Sequence, residues 1–163
     1  MKTILLILVS LVTSIAFADG WRMEALEAIK NDGLEAAQEV VKKASEYDDS
    51  ALFFHARDLA VDGKHDEALQ VYKELLDKGY QEPLLEMAMI YIYVKGDPVS
   101  TQVGTNLMHI ATQFSVEAQV EMASMYELGT GVRKNLLLSC SWYKTAKKNG
   151  LRGLEDSIKR VCD

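Results

Sequence analysis

Proline and cysteine are scarce in this sequence, with two of each in 163 residues, and histidine occurs only three times. So little proline leaves long stretches without the strongest helix breaker, and a composition of 48% hydrophobic and 26% charged residues predicts one soluble, helix-rich domain. No stretch reads as a β-strand. His55, His65 and His109 have no second histidine at i+4 and no His-Glu-x-x-His pattern, so they read as surface polar residues rather than metal ligands. Positive charge is short as well: 18 basic residues face 24 acidic ones, for a formal net charge of −6. No basic block offsets that mean, since Lys42-Lys43 and Lys147-Lys148 are isolated pairs, and this excludes nucleic acid and anionic lipid as expected partners. The one long apolar run, Ile4 to Phe17, is 14 residues and contains Ser10, Thr13 and Ser14, short of the ~20 residues that span a bilayer.

That run belongs to a secretory leader. Residues 1–18 have Lys2 as a positive start, an apolar stretch from Ile4 to Val12, and Ala16-Phe17-Ala18 as a small-x-small site, which predicts cleavage between Ala18 and Asp19. No cysteine follows at once, so a lipoprotein linkage has no attachment point. The expected product is a periplasmic or secreted chain with no membrane span after cleavage.

The rest of the chain repeats itself. A shift of 35 residues lays Met87-Ala88-Met89-Ile90-Tyr91 over Met122-Ala123-Ser124-Met125-Tyr126, carries Gly96 onto Gly131, and sets Leu107 to Ala111 over Trp142 to Ala146. Within each unit the apolar spacing is helical, as in Leu69, Tyr72, Leu75 and Leu76, or Leu136, Cys140 and Tyr143. Turn signals at Gly63, Gly79, Gly96-Asp97-Pro98, Gly129-Thr130-Gly131 and Asn149-Gly150 separate the helices, and Pro83 fits a first helical turn. The spacing predicts helices over 21–31, 34–46, 50–62, 66–78, 82–94, 100–113, 116–128, 135–148 and 151–162. A helix pair of this length cannot bury its apolar face alone, so neighbours must stack. The expected fold is therefore all-α: an α-solenoid, or superhelix, of antiparallel helix pairs over residues 19–163 as a single domain. Ala88, Ala111, Ala123 and Ala146 would permit close helix approach, with Tyr91, Tyr126 and Tyr143 filling the space between hairpins.

The segment Ser115 to Gly150, SVEAQVEMASMYELGTGVRKNLLLSCSWYKTAKKNG, resembles a repeat of the Sel-one-like family, a relative of tetratricopeptide repeats. The matching residues are Ala118, Ala123, Met125-Tyr126, Gly129-x-Gly131-Val132, Asn135, Trp142-Tyr143, Ala146 and Gly150. Ser139 departs, because the family commonly has alanine there. Residues 82–114 resemble the same unit in degraded form, and 51–79 look closer to a plain tetratricopeptide hairpin. The first pair, 19–46, is a hairpin on periodicity alone, and 151–162 is expected as a capping helix. The resemblance implies a bacterial protein-protein scaffold of the envelope or the host-microbe boundary. It names no partner.

Cys140 and Cys162 lie in a chain expected to be exported, where a disulfide is the default. Cys140 shares a helical stripe with Leu136 and Tyr143, and Cys162 continues Leu151, Leu154, Ile158 and Val161. A fold-back at Asn149-Gly150-Leu151 sets the two cysteines opposite each other, each about 15 Å along its helix from the turn at 1.5 Å per residue. Two free thiols or an intermolecular bridge are the alternatives. A metal site lacks further ligands. The resemblance adds that cysteine-rich secreted members of the family also staple neighbouring helices.

No catalytic constellation emerges. Ser141-Trp142-Tyr143-Lys144 fits Ser-x-x-Lys, and β-lactam binding has been suggested for cysteine-rich relatives. The Ser-Asp-Asn and Lys-Thr-Gly elements that penicillin-recognising enzymes also need are missing from the sequence. Gly129-Thr130-Gly131 is too short for a phosphate loop, and Asp48-Asp49 and Glu155-Asp156 read as helix-start and solvent-face charges. The sequence thus predicts a non-enzymatic, cofactor-free scaffold that binds a protein or peptide. The runner-up is an envelope enzyme, or enzyme accessory, acting on peptidoglycan or β-lactams, and a third reading is a purely structural subunit of a complex.

Overall fold

The computed structural model describes residues 20–162, so the leader expected at 1–18 and its Ala18–Asp19 junction lie outside the described residues. Among those residues every regular element is helical. The order is α1 (20–32), α2 (Leu34–Ala44), α3 (Asp49–Val61), α4 (His65–Asp77), α5 (Pro83–Met89), α6 (Pro98–Ala111), α7 (Val116–Leu128), α8 (Leu136–Lys148) and α9 (Glu155–Cys162).

Short polar residues start these helices by satisfying backbone N–H groups that have no intrahelical acceptor. The Ala51 N–H donates to Asp48 Oδ1 at 2.9 Å, the Ala118 N–H to Ser115 Oγ at 3.1 Å, and the Leu138 N–H to Asn135 Oδ1 at 3.1 Å. Asp97 Oδ1 accepts from both Val99 and Ser100 N–H, with Pro98 at the first position of α6, where its missing N–H costs nothing. Burial pushes the Asp48 carboxyl up, but the hydrogen bonds it accepts from the Ser50 hydroxyl and the Ala51 N–H outweigh it and hold the group below the ordinary Asp value.

The chain divides into two compact units, one ending at Val71 and one beginning at Tyr72. In the first, Trp21 and Ala25 of α1, Ala37, Val41 and Ala44 of α2 and Ala51 of α3 form one buried cluster. Small residues dominate it, so the helices approach closely and the indole supplies most of the bulk. In the second, Leu84, Ala88, Ile92, Met108, Ala111, Ala118, Met122 and Met125 make a cluster shared by α5, the residues 90–95 that follow it, α6 and α7. Met108, Met122 and Met125 are each 0% exposed, which stabilises by roughly 1.5 to 3 kcal/mol per side chain. A third cluster, Ala123, Tyr143, Ala146, Leu154 and Val161, joins α7, α8 and α9.

The four alanines singled out from the repeat, Ala88, Ala111, Ala123 and Ala146, are all buried, as close helix approach requires. The tyrosines differ from expectation: Tyr143 is buried, whereas Tyr91 and Tyr126 are half-buried. Two elements differ as well. The helix expected over 82–94 is α5 followed directly by a π-helical segment, Ile90–Lys95, which Gly96 ends in the left-handed region at φ 64°. The helix expected over 151–162 begins only at Glu155, because Gly150 (φ 104°) and Gly153 (φ 80°) both hold conformations that a right-handed helix excludes.

Candidate functional site

A cleft of about 540 Å³ opens between α6 and the connection that leads from α7 into α8. Its position follows from the Gly129-Thr130-Gly131 turn. The Gly129 and Thr130 N–H groups both donate to Met125 O, at 2.8 and 3.1 Å, and close α7. At the far end the Asn135 N–H donates to Tyr126 O at 2.8 Å, which folds residues 129–135 back over the last turn of that helix. Between these anchors the Thr105 hydroxyl of α6 donates to Gly131 O at 3.2 Å. Gly131 has φ 68°, and a Cβ there would lie 2.9 Å from Thr105 Oγ1 and 3.1 Å from Thr101 Cγ2. The loop therefore presses on α6 at Gly131, a residue without a side chain, and the cleft is framed by fixed backbone.

Two chemistries line this cleft. Tyr126, Val132 and Leu138 supply apolar surface, and Gln102, Arg133, Lys134 and Asn135 supply polar and cationic groups. No carboxylate is among the lining residues. Glu127 is near enough to Lys134 to feel its charge, but its oxygens are bound elsewhere: Oε1 accepts from Arg160 Nε at 2.6 Å, and Oε2 from Arg160 at 3.1 Å and from the Tyr143 hydroxyl at 3.0 Å. The Arg160 guanidinium holds the Glu127 carboxyl below the ordinary glutamate value against the opposing effect of burial. Burial, followed by the Glu127 carboxylate, pushes the Tyr143 phenol up.

Beside the cleft, α8 begins with three exposed leucines in succession: Leu136 at 44%, Leu137 at 84% and Leu138 at 41%. A single exposed leucine needs no explanation, but a run of three at a helix start leaves a contiguous apolar surface, most of all at Leu137.

The first unit carries a concavity of opposite character, about 340 Å³, lined by Glu35, Glu39, Asp58, Asp62 and Glu67 with Lys42, Lys64 and His55. Burial pushes the Asp58 carboxyl up, against the influence of His55.

The residues singled out in the sequence are distributed as follows. Cys140 and Cys162 come together as a disulfide, with a Cα–Cα distance of 5.2 Å, and tie α9 to α8. His55 and His65 are half-buried and His109 is exposed, and no group of three or more His, Cys, Asp or Glu among the described residues is placed to hold a metal ion. Ser141 and Lys144 are exposed on α8, and neither lines the cleft. No helix among the described residues is long and apolar enough to cross a membrane.

Sequence reading missed the cleft, the Glu127–Arg160–Tyr143 cluster, and Gly104. At Gly104 a Cβ would fall 2.7 Å from Ile92 Cγ1, 2.8 Å from Ala88 O and 2.9 Å from Tyr91 Cβ. It missed too a polar chain in which Asn149 Nδ2 donates to Gln119 Oε1 at 2.9 Å, while Gln119 Nε2 donates to Thr112 O at 2.9 Å. A glycine inside an otherwise helical pattern was the only local signal for any of these.

No family model matches this chain, and neither does any curated protein. Among solved structures it is similar to the crystal structure of a Sel1 repeat protein from Oxalobacter formigenes, with a TM-score of 0.59 and 20% sequence identity over 85% of this chain and 68% of that one. At that identity the likeness establishes the fold: an all-α helical repeat of the α-solenoid class, built from antiparallel helix pairs.

Proposed function

We propose that this chain is an exported, non-enzymatic helical-repeat scaffold of the Sel-one-like kind that binds a protein or peptide. The observation that carries the reading is the coincidence of two likenesses, one in the residues and one in the fold. The segment Ser115 to Gly150 has the residues of a Sel-one-like repeat, and the structure shares the fold of a Sel1 repeat protein. In such repeats the hairpins supply one another's core, which frees the remaining helix faces and loops to meet a partner. The exposed leucines at the start of α8 are surface of that sort. Export to the periplasm or beyond is supported by the leader pattern of residues 1–18 and by the Cys140–Cys162 bridge, which suits an oxidising compartment.

A pull-down from an envelope extract with the tagged mature chain, repeated after reduction, tests the proposal. Recovery of a protein partner in stoichiometric yield is expected from the oxidised chain. Failure to recover one under either condition overturns the scaffold reading. The alternative of an envelope enzyme acting on peptidoglycan or β-lactams predicts nitrocefin turnover by the purified protein. The scaffold reading predicts none.

A further inference from the structure

We infer that the cleft between α6 and the α7–α8 connection is a peptide-binding site selective for an acidic segment that carries a large apolar side chain. The inference rests on the scaffold reading above and assigns its partner chemistry. Charge complementarity is the first ground. In a chain with 24 acidic and 18 basic residues, this cleft is lined by Arg133 and Lys134 and by no carboxylate. Both cations are exposed, neither is in an ion pair among the described residues, and the nearby Glu127 is already engaged by Arg160 and Tyr143. A ligand carboxylate thus meets two cations that no ion pair holds, although Glu127 lies close enough for Lys134 to feel its charge. The side-chain amide of Asn135 can assist, because only its Oδ1 is spent, on the Leu138 N–H.

The second ground is the apolar wall. Tyr126, Val132 and Leu138 line the same cleft, and Leu138 is 41% exposed at its edge. A free anion such as phosphate leaves that surface wet, whereas a leucine or phenylalanine next to the acidic residue covers it. Rigidity of the backbone is the third: the hydrogen bonds of the Asn135 N–H to Tyr126 O and of the Thr105 hydroxyl to Gly131 O fix the loop that carries Val132, Arg133 and Lys134, so the ordering cost on binding falls on side chains and not on the loop itself. Nucleic acid, the other polyanion that two cations can attract, is opposed by the net charge of −6 and by the absence of any extended basic stripe.

An immobilised array of short peptides graded in charge and apolar content, probed with the mature chain, tests the assignment. The best acidic-apolar sequence is then titrated as a fluorescein-labelled peptide by anisotropy. Captured sequences are expected to be enriched in Asp or Glu beside Leu or Phe. The double variant R133E/K134E, with both positions exposed, should lose about tenfold or more in affinity for the labelled peptide and turn its array preference toward basic sequences. L138S should weaken acidic peptides without changing the charge preference. Far-UV circular dichroism and melting temperatures matched to the parent confirm that both variants are folded.

An array profile with no acidic enrichment, or an R133E/K134E profile equal to the parent's, overturns the inference. So does a labelled oligonucleotide that binds in place of the peptides and is lost on the same reversal. If the envelope partner of the pull-down is still held by R133E/K134E, the cleft assignment falls while the scaffold reading stands.

Discussion

Ser139 carries a hydroxyl that nothing answers. The side chain is 0% exposed in α8, and its Oγ has no hydrogen-bond partner. This is the position where the resemblance expects alanine. Folding strips water from the hydroxyl without returning a bond, so Ser139→Ala should raise stability by about 1 to 2 kcal/mol, read as a higher denaturation midpoint with an unchanged slope. Gly104 carries the opposite lesson. A methyl group added there meets the Ala88 carbonyl oxygen at 2.8 Å, and a backbone atom cannot swing aside as the end of a side chain can. Gly104→Ala should therefore cost about 1 to 3 kcal/mol even though alanine is the better helix former, and a fall in melting temperature checks it. The sequence marks Ser139 as a departure from the family's alanine and Gly104 as a glycine within a helical pattern, but shows the energetic sign of neither. A serine or a glycine within a helical pattern is ambiguous until the neighbouring helix is known, because what decides its cost is how close that neighbour comes.

At the scale of the element, α9 shows how a short terminal helix is kept in place. It packs Val161 into the cluster around Tyr143 and Ala146, is tied to α8 by Cys140–Cys162, and reaches α7 through Arg160 and Glu127. The bridge closes a sequence separation of 22 residues, for which chain entropy gives about 3 kcal/mol, so a C140S/C162S variant should lose that much. The reduced parent should match the variant when both are melted with dithiothreitol present. The ion pair adds a pH signature. Arg160 holds Glu127 below its ordinary value of 4.5, so the carboxylate binds fewer protons when folded than when unfolded. Its contribution is complete above that value and is lost as the pH falls through the lower folded one. Glu127→Gln should flatten the melting temperature's dependence on pH below about 4.5 relative to the parent. A parallel decline in both proteins would show the pair to be energetically idle.

The same elements show what could be read in advance. Helix α7 is at its expected limits, 116–128, because Ser115 and Gly129 write both ends locally, as cap and as left-handed stop. Helix α9 falls short of expectation because apolar spacing alone does not show where a chain with two nearby glycines becomes helical again. The π-helical segment escaped notice because one extra residue in a turn leaves a pattern of threes and fours nearly intact. The disulfide was legible, since a fold-back needs only equal arms about its turn. The cleft was not: Gln102 and Leu138 come from helices far apart in sequence, and their meeting depends on a loop pressing against Gly131.

For the whole molecule, the proposed export would make compartment, bridge and fold one chain of dependence. Stacked hairpins make a core of thin layers, and the short α9 has Val161 as its one buried residue, with most of the helix exposed or half-exposed. Oxidation at Cys140 and Cys162 compensates for that exposure, but only where thiols are not kept reduced. The leader pattern in residues 1–18 is the feature that would deliver the chain to such a place. Expressed with its leader in a bacterium that has a periplasm, the protein should appear there with Asp19 as its first residue, and intact-mass analysis should show no free thiol. Expressed from Asp19 onward in the reducing cytosol, it should be recovered unbridged, with a melting temperature that rises on oxidation after purification. A full-length product retained in the cytoplasm would remove export from the account. A chain whose stability is indifferent to oxidation would break the link between compartment and fold, and leave the helical repeat to stand on packing alone.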